Sequence, residues 1–398
     1  MRLAIIGLGY WGPNLLRAAA DLEDVEVVAL CDSSPGALAR QARRHPYVRV
    51  TESLDDILLD DTIDAVIVAT PVQTHYEIAR SALQAGKHTF VEKPVATTSD
   101  DCRDLISLAV ERDLVLMPGH VFLYSPAVVA IKKLLDEGAL GEIYFVTSTR
   151  VNLGIHRSDS SVIQDLAPHD FSILHYWFGV PTFARTIARD SVVPGLWDVA
   201  FIDLGFGRLG PLARVELSWL APTKLRRTVI AGSKAMIVYD DTATEQVRIF
   251  DRGAIFEPHT FGTHRAGMAY RVGDVVSPHI DAAEPLRLEL ADFVASIQGG
   301  GPPRSNMYMG LEIVQIVEAC ELSLRHNGAP VQVALSEGER RRVPDRRSVL
   351  AARRFDPDAQ QGGAEAAVRR FDPHAPQDAV DAVDAVEAAD AADALDPA

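Results

Sequence analysis

The feature that most constrains this chain is a glycine-rich turn between its first apolar run and its first helical segment. Gly7, Gly9 and Gly12 are spaced as Gly-x-Gly-x-x-Gly. Gly7 allows a tight turn, Gly9 lets a pyrophosphate approach the backbone, and Gly12 lets the helix pack closely against the strand. Free N–H groups at the start of the helix can then bind phosphate oxygens. The turn therefore predicts a dinucleotide site. Two further residues of the turn are expected to contact the cofactor: Tyr10 and Trp11.

An acidic residue at the end of the second predicted strand indicates which dinucleotide is bound. Asp32 lies 20 residues after Gly12. A carboxylate at this place accepts hydrogen bonds from the adenosine ribose and repels a 2′-phosphate. We therefore expect NAD as the cofactor, with NADP less favoured.

Short apolar runs alternate with helical segments up to about residue 120. The predicted strands are Arg2–Ile6, Val25–Cys31, Ala65–Ala69, His88–Val91 and Val115–Met117. The predicted helices include Gly12–Ala20, Pro35–Arg44 and His75–Ala85. This alternation predicts an α/β fold, a doubly wound parallel sheet of the Rossmann type over residues 1–120.

The pattern changes after residue 120. Two long helices near the end of this region follow several strand-like runs between residues 183 and 250. Residues 121–335 are therefore expected to form an α+β domain for substrate binding and oligomerisation, built on an open, mostly antiparallel sheet. Residues 336–398 are acidic and of low complexity, with Arg-Arg-Phe-Asp-Pro occurring twice. We expect this tail to be disordered.

Composition limits the possible partners and location. The formal net charge is −16 and no basic stripe is present, which argues against nucleic acid binding. The three cysteines are far apart, so neither disulfides nor a zinc site is indicated. The chain starts directly in a strand and contains no apolar run long enough to span a membrane. A cytoplasmic protein is expected.

Three motifs together give the chain a family resemblance. They are Ala69-Thr70-Pro71 with His75 four residues later, Glu92-Lys93-Pro94, and Asp165-Leu166-Ala167-Pro168-His169. With the glycine turn, they make residues 1–335 resemble the Gfo/Idh/MocA oxidoreductases. The resemblance implies cofactor contacts from these residues: Thr70, Pro71, His75, Glu92 and Lys93. It also implies that Lys93 lies beside the nicotinamide and the reacting carbon.

The residue types of the last two motifs suit the oxidation of a secondary alcohol. The hydroxyl needs a base, and the developing alkoxide needs a nearby cation. His169 is suited to be the base, Lys93 to stabilise the alkoxide, and Asp165 to orient His169 or bind substrate. If Pro168 begins a helix, His169 lies in the first turn, where the helix dipole favours a neutral imidazole. No metal is expected, because the nearby Asp170 and His175 match no zinc spacing.

The resemblance extends to a branch that acts on nucleotide-linked sugars. It implies oxidation at the sugar C3 and a later transamination of the keto product by a PLP-dependent aminotransferase, in amino-sugar or antibiotic precursor synthesis. The expected substrate contacts are Tyr124, Arg150, Asn152 and Gln164. The family usually has Asn or Gln where this chain has His120, so the role of that position stays open. Three alternatives remain: a free sugar or cyclitol dehydrogenase, a 3-ketosugar reductase, and a non-catalytic NAD-binding partner subunit.

A homo-oligomer, either a dimer or a tetramer, is expected from the second domain. Its open sheet carries apolar positions such as Val215, Leu217 and Trp219. An apolar face exposed to water is unfavourable, and assembly into an oligomer would bury it. The family resemblance implies the same.

Overall fold

The computed structural model describes residues 1–154, 160–257 and 267–333. These residues all belong to one compact unit, Met1–Val343. The predicted acidic tail and both Arg-Arg-Phe-Asp-Pro repeats lie outside the described residues.

The first part of the chain alternates strands and helices. In order these are β1 (Arg2–Ile6), α1 (Gly12–Ala20), β2 (Glu26–Cys31), α2 (Pro35–Arg44), β3 (Arg49–Thr51), α3 (Asp55–Leu58), β4 (Ala65–Val68), α4 (His75–Gln84), β5 (His88–Glu92), α5 (Ser99–Glu111) and β6 (Leu116–Gly119). The strands form a six-stranded parallel sheet in the order β3-β2-β1-β4-β5-β6. The predicted Rossmann sheet is confirmed.

Strands of this sheet are apolar on both faces because helices cover both. All four residues of β4 are fully buried, as expected for a parallel strand between two helical layers. The order of strands reverses between β1 and β4. In sheets of this kind, ligands bind beyond the carboxyl ends of the strands at such a reversal. The glycine turn follows β1 at this edge.

The second part contains α6 (Pro126–Asp136), β7 (Ile143–Leu153), α7 (Val162–Phe178), β8 (Phe183–Arg189), β9 (Val199–Gly205), β10 (Leu212–Ser218), β11 (Leu220–Gly232), β12 (Met236–Asp240), β13 (Val247–Glu257), β14 (Gly267–Val276), α8 (Pro285–Ile297), α9 (Met307–Arg325) and β15 (Val331–Gln332). Its nine strands follow the order β14-β13-β12-β11-β7-β10-β9-β8-β15. Strands β7 and β10 pair in parallel, and the other pairs are antiparallel. The predicted open, mostly antiparallel sheet is confirmed.

The prediction that Val215, Leu217 and Trp219 lie on the open face of this sheet is wrong. Val215, Leu217 and Trp219 are 0–2% exposed and belong to the core. Side chains alternate between the two faces of a strand, and on β10 the apolar set faces the helices. The opposite face carries the exposed side chains Phe145 and Phe201 instead.

Helix α7 also begins earlier than predicted. Ser161 is its N-cap and forms a capping box with Gln164, so Pro168 lies inside the helix. His169 is therefore not in the first turn, and the helix-dipole argument for its neutral form does not hold. The capping box determines the start because it satisfies two free N–H groups at once.

The last helix returns to the first sheet. Glu318 on α9 accepts a hydrogen bond of 2.7 Å from the backbone N–H of Ser99 at the start of α5. Leu311 and Val314, also on α9, lie in the same apolar cluster as residues of β1 and β4. This packing fixes the second sheet relative to the edge where β5 and β6 end. No helix among the described residues is long and apolar enough to cross a membrane.

Candidate active site

The glycine turn has the geometry of a cradle for a ligand. Gly7 has a φ of 98°, a conformation that favours glycine. A Cβ at Gly12 would lie 2.1 Å from the carbonyl oxygen of Gly7, so the packing of the turn itself requires glycine there. A Cβ at Gly9 would meet nothing within 4 Å. Protein packing therefore does not demand glycine at Gly9, and the open space above it suits the approach of a pyrophosphate.

Asp32 lies at the expected end of β2 and also supports the turn. Its two carboxylate oxygens accept hydrogen bonds from the backbone N–H of Leu8 at 2.6 Å and of Ser34 at 2.7 Å. A carboxylate has further lone pairs, so hydroxyls of a ribose can still bind. A cleft of about 490 Å³ lies beside the turn and has arginines of α2 in its wall. It is lined by Leu8, Gly9, Pro13, Arg40, Gln41, Arg43 and Arg44.

A second cleft lies beside Tyr10 and Trp11 of the turn. Tyr10 and Trp11 line it together with Phe122, and Tyr10 is 86% exposed. Its volume is about 360 Å³. The glycine turn thus has a cleft on the side of α2 and another beside Phe122, and this arrangement is compatible with a bound dinucleotide.

His75 holds two loops of the cofactor edge together. It is buried, and its ring nitrogens lie 2.8 Å from the carbonyl oxygen of Pro94 and 2.9 Å from that of Thr70. Burial lowers the pKa of His75. The hydroxyl of Thr70 accepts a hydrogen bond from Thr74, and Pro71 follows Thr70 at the end of β4. His75 thus links the backbone of Pro94, which follows Lys93, to that of Thr70.

Lys93 follows β5 and is held by α7. Its Nζ donates to the carbonyl oxygen of Asp165 at 2.7 Å and lies 3.2 Å from Oδ1 of the same residue. Pro168 has no N–H for the carbonyl of Gln164, four residues earlier, so α7 lacks one backbone hydrogen bond at this turn although the helix continues through it. The adjacent carbonyl of Asp165 accepts Lys93. Glu92 precedes Lys93, and burial raises its pKa to about 7.

His169 lies beside Phe122 on the inner side of α7. The two rings are edge to face, with centroids 5.1 Å apart. Burial lowers the pKa of His169 well below its usual value, and the positive charge of Lys93 lowers it further. The imidazole is therefore neutral at physiological pH and can accept a proton.

Two arginines flank the same phenylalanine ring. The guanidinium carbon of Arg150 lies 4.6 Å from the ring centroid of Phe122, and that of Arg226 lies 5.9 Å from it. Arg150 is buried and paired with Asp170 at 2.5 Å, while Arg226 is paired with Asp241 at 3.3 Å. With Lys93 and Asp165, the surroundings of His169 contain three ion pairs.

The four predicted substrate contacts lie in different surroundings. Arg150 is close to His169, and Asn152 lies two residues further along β7 on the same face. Tyr124 is buried, with its hydroxyl donating to Asp292 at 2.7 Å. Gln164 is exposed at the start of α7, where its amide donates to Glu321 at 2.7 Å. The structure brings Arg150 close to Phe122 and His169, and it engages Tyr124 and Gln164 in contacts with α8 and α9.

Sequence reasoning did not assign a role to three residues of this site: Phe122, Arg226 and Asp241. Arg226 lies over the ring of Phe122, 104 residues away in the sequence, and such a contact leaves no local pattern. Among the described residues, no group of three or more His, Cys, Asp and Glu side chains could hold a metal ion.

Two family models match the chain. The first is described as the NAD-binding Rossmann fold of the oxidoreductase family Gfo/Idh/MocA and matches residues 1–120. The second is the C-terminal domain of the same family and matches residues 128–238. Together they cover more than half of the chain.

Individual proteins extend the similarity. Inositol 2-dehydrogenase 2 of Saccharopolyspora erythraea is 30% identical over 345 residues, covering 84% of this chain and 96% of that protein. D-apiose dehydrogenase of Paraburkholderia graminis is 26% identical over 350 residues, covering 84% and 90%. The solved structure of UDP-N-acetylglucosamine 3-dehydrogenase from Acidithiobacillus ferrooxidans has a TM-score of 0.66 at 24% identity, covering 81% of this chain and 97% of that chain. At that identity the superposition demonstrates a shared fold.

Proposed function

The chain belongs to the Gfo/Idh/MocA oxidoreductase family, and from that premise we propose that it oxidises a secondary hydroxyl of a sugar or cyclitol, with NAD as the hydride acceptor. One observation carries the proposal. The ammonium of Lys93 is held against Asp165, near the neutral imidazole of His169. This group lies at the sheet edge where the glycine turn presents the cofactor cradle.

The residues divide the chemistry between proton and charge. His169 is neutral and accepts the hydroxyl proton as the alcohol is oxidised. Lys93 stabilises the negative charge that develops on the oxygen, and its contacts with Asp165 keep the ammonium in place before the reaction begins. Bound NAD supplies the acceptor for the hydride. The edge-to-face contact with Phe122 restricts the ring of His169.

We further propose a nucleotide sugar as the substrate, oxidised at C3. The supporting feature is Arg226, whose side chain is 36% exposed and which flanks Phe122 near His169. A guanidinium at the mouth of a site suits the diphosphate of a nucleotide sugar, since it can bind phosphate oxygens with two parallel hydrogen bonds. The keto product is then suited to a PLP-dependent aminotransferase.

A free cyclitol or sugar is the second candidate. Each cation near His169 already has a carboxylate partner, so the site as a whole does not demand an anionic substrate. The similarity to an inositol 2-dehydrogenase over 96% of that protein supports this reading.

The experiment is a substrate panel with matched arginine variants. The pure chain is incubated with NAD and UDP-sugars, dTDP-sugars, myo-inositol, D-apiose and other free sugars, with and without an aminotransferase, and NADH is followed by absorbance. Arg226→Gln is compared with Arg227→Gln, because Arg227 is the exposed neighbour on the opposite face of β11.

The two candidates predict different results. For a nucleotide sugar, Arg226→Gln should raise KM by about 10–100-fold, as expected for the loss of a charged hydrogen bond of about 1.5–3 kcal/mol. Arg227→Gln should leave KM unchanged. Oxidation of a free cyclitol with equal KM in both variants would favour the second candidate. No NADH from any alcohol would contradict the proposed function.

A further inference from the structure

A buried ion pair lies next to His169. Arg150 on β7 and Asp170 on α7 form this pair, and Nε of Arg150 donates to Oδ2 of Asp170 at 2.5 Å. Only 6% of the Arg150 side chain and 3% of the Asp170 side chain are exposed. Asp170 follows His169 directly in the helix. Because taking two charges out of water is costly, such a pair calls for a role other than stability alone.

Hydrogen bonds anchor the carboxylate of Asp170 to two strands of the second sheet. Its Oδ1 accepts from the hydroxyl of Ser148 on β7 at 2.7 Å, and that hydroxyl lies 2.9 Å from the hydroxyl of Thr228 on β11. All three side chains are buried. The residue that follows His169 is therefore held by β7 and β11, which restricts where α7 can place the imidazole.

The guanidinium of Arg150 also reaches His169 through an aromatic ring. Its central carbon lies over the ring of Phe122, 4.6 Å from the centroid. The same ring makes the edge-to-face contact with His169, with centroids 5.1 Å apart. Both contacts are attractive and depend on the orientation of the phenylalanine ring. Arg150 is therefore joined to His169 twice, through Phe122 and through Asp170.

The surroundings of Arg150 leave little of it for a substrate to contact. Its Nη1 is fully buried without a hydrogen-bond partner among the described residues, and its Nε is occupied by Asp170. His169 and Phe122 both keep accessible surface, and Phe122 lines the second cleft. A substrate would therefore meet His169 and Phe122, with Arg150 covered by the protein.

We propose that Arg150 is a positioning residue for His169 and does not bind the substrate. It acts through the ring of Phe122 and the carboxylate of Asp170, which together hold the imidazole where it can accept the hydroxyl proton. The inference rests on the proposed dehydrogenase function. It replaces the substrate contact that the sequence predicted for Arg150.

The charge of Arg150 agrees with this role. Burial lowers the pKa of His169 well below its usual value, and the positive charges of Lys93 and then Arg150 lower it further. A cation in this place opposes protonation of the imidazole, so the base stays able to accept a proton. The ionisable groups around His169 are Lys93 after β5, His120 after β6, Arg150 on β7, Arg226 on β11, and Asp165 and Asp170 on α7.

The test removes both charges together, because a single change would leave one buried charge without its partner. Arg150→Met with Asp170→Asn keeps side chains of similar size, and the asparagine oxygen can still accept from Ser148. With the alcohol that the substrate panel identifies, kcat should fall at least about 10-fold, part of the about 10²–10⁴-fold that a positioned base contributes. KM and NAD affinity should stay unchanged. The control Arg80→Met with Asp104→Asn removes an exposed ion pair between α4 and α5 and should change none of these values.

Two further readouts separate positioning from a general loss of structure. The acidic limb of the kcat/KM profile should move to higher pH in the Arg150–Asp170 variant, because loss of the guanidinium charge lets the pKa of His169 rise. In a Phe122→Leu background, the same two changes should cost less activity than in the unmodified chain, because one contact through which Arg150 acts is already gone.

The opposite division between KM and kcat would overturn the proposal. A higher KM with unchanged kcat would show that Arg150 binds the substrate. Unchanged kcat, an acidic limb that does not move, or a loss that is fully additive with Phe122→Leu would show that Arg150 does not act on His169.

A measurement without turnover keeps failure of the proposed function distinguishable. Nitrogen NMR of labelled histidine in the complete chain follows the titration of the His169 ring. The pKa of His169 should be higher in the Arg150–Asp170 variant than in the unmodified chain, and the Arg80–Asp104 control should not change it. An equal pKa in all three proteins would overturn the proposal, whether or not any alcohol is oxidised.

Discussion

Lys93 and Asp165 are joined more closely through the backbone than through the side chain. The ammonium lies 2.7 Å from the carbonyl oxygen of Asp165 and 3.2 Å from its carboxylate. Pro168 removes one backbone hydrogen bond from α7 at this turn, where the carbonyl of Asp165 receives the ammonium of Lys93 after β5. The motif Asp165-Leu166-Ala167-Pro168-His169 thus supplies a backbone acceptor, a carboxylate and a base within five residues.

This geometry predicts that Asp165→Asn is milder than loss of Lys93. Asparagine keeps the backbone contact and an acceptor oxygen, and only the negative charge is lost. We expect kcat to fall by about 10-fold, below the range of about 10²–10⁴-fold typical of a positioned acid–base group. Steady-state kinetics checks this. If Asp165→Asn loses as much activity as Lys93→Met, the carboxylate and not the carbonyl positions the ammonium.

Asp32 predicts a preference for NAD over NADP of several-fold in affinity. Asp32→Asn keeps one acceptor oxygen, so it loses one of the two hydrogen bonds from the N–H groups of Leu8 and Ser34, and it removes the charge that repels a 2′-phosphate. The ratio of the two affinities should fall by on the order of 10-fold at low salt, because a unit charge about 5 Å away contributes a few kcal/mol before screening. Arg40 and Arg43, which line the cleft beside the glycine turn, should then attract the 2′-phosphate and favour NADP.

Calorimetric titration of both cofactors measures this ratio. Equal affinity of the unmodified chain for NAD and NADP would contradict the role of Asp32. A ratio that is the same in Asp32→Asn would show that the carboxylate acts only on the turn.

Glu289 predicts an unusual dependence of stability on pH. It is fully buried on α8, and neither carboxylate oxygen has a hydrogen-bond partner among the described residues. Burial raises its pKa well above the usual value, and the charges of Glu92 and Asp292 raise it further. The folded chain therefore holds this proton at a pH where the unfolded chain, with a Glu pKa of about 4.3, has lost it.

The protonated carboxyl group of Glu289 makes its full contribution to folding stability below the pKa that Glu289 has in the unfolded chain. This contribution is lost as pH rises through the pKa that Glu289 has in the folded chain. Glu289→Gln stays neutral at every pH, so its stability relative to the unmodified chain should increase from pH about 5 to pH about 9. Denaturant unfolding at both pH values tests this, with the exposed Glu111→Gln as the control. A pH-independent difference would show that Glu289 is ionised in the folded state.

The outer face of the second sheet predicts self-association. Phe201 on β9 pairs with Ile187 on β8, and these side chains are 45% and 57% exposed. Phe145 and Leu212 form a similar exposed pair on β7 and β10. Burying this apolar surface against a second copy would be favourable. Phe201→Glu should shift the chain towards the monomer in light scattering, whereas Tyr47→Glu, at a residue 99% exposed outside the sheet, should not. A monomeric unmodified chain at micromolar concentration would refute this.

Much of the fold could be predicted from local pattern. The first sheet could be predicted because its strands are short apolar runs. Its helices also begin at recognisable residues, such as Pro35 of α2 with Ser34 as the N-cap. Helix α5 likewise fills a segment between two predicted strands, and its buried residues Cys102, Leu105, Ile106 and Ala109 have helical spacing. The sequence contained two possible starts for α7. Ser161 with Gln164 forms a capping box, and Pro168 is equally typical of a first helical position, so the sequence alone did not decide between them.

Site residues could be predicted only where a short sequence motif contains the reactive groups themselves. Lys93, Asp165 and His169 were assigned by motif, and the structure joins Lys93 to Asp165. Tyr124 was predicted to contact substrate. Its hydrogen bond to Asp292 could not be foreseen, because the two residues are 168 positions apart in the sequence. A polar residue in a motif gives no sign of whether its side chain will meet substrate or another helix.

The most direct test of the account is turnover with Lys93 and His169 changed singly and together. Lys93→Met removes the charge at similar length, and His169→Asn removes the base but keeps a polar group. Each should lower kcat by about 10²–10⁴-fold with NAD still bound, and the double variant should be little worse than the less active single variant, because the two residues act on the same hydroxyl group in one step. Near-normal turnover of Lys93→Met, with its fold intact by circular dichroism, would contradict the account.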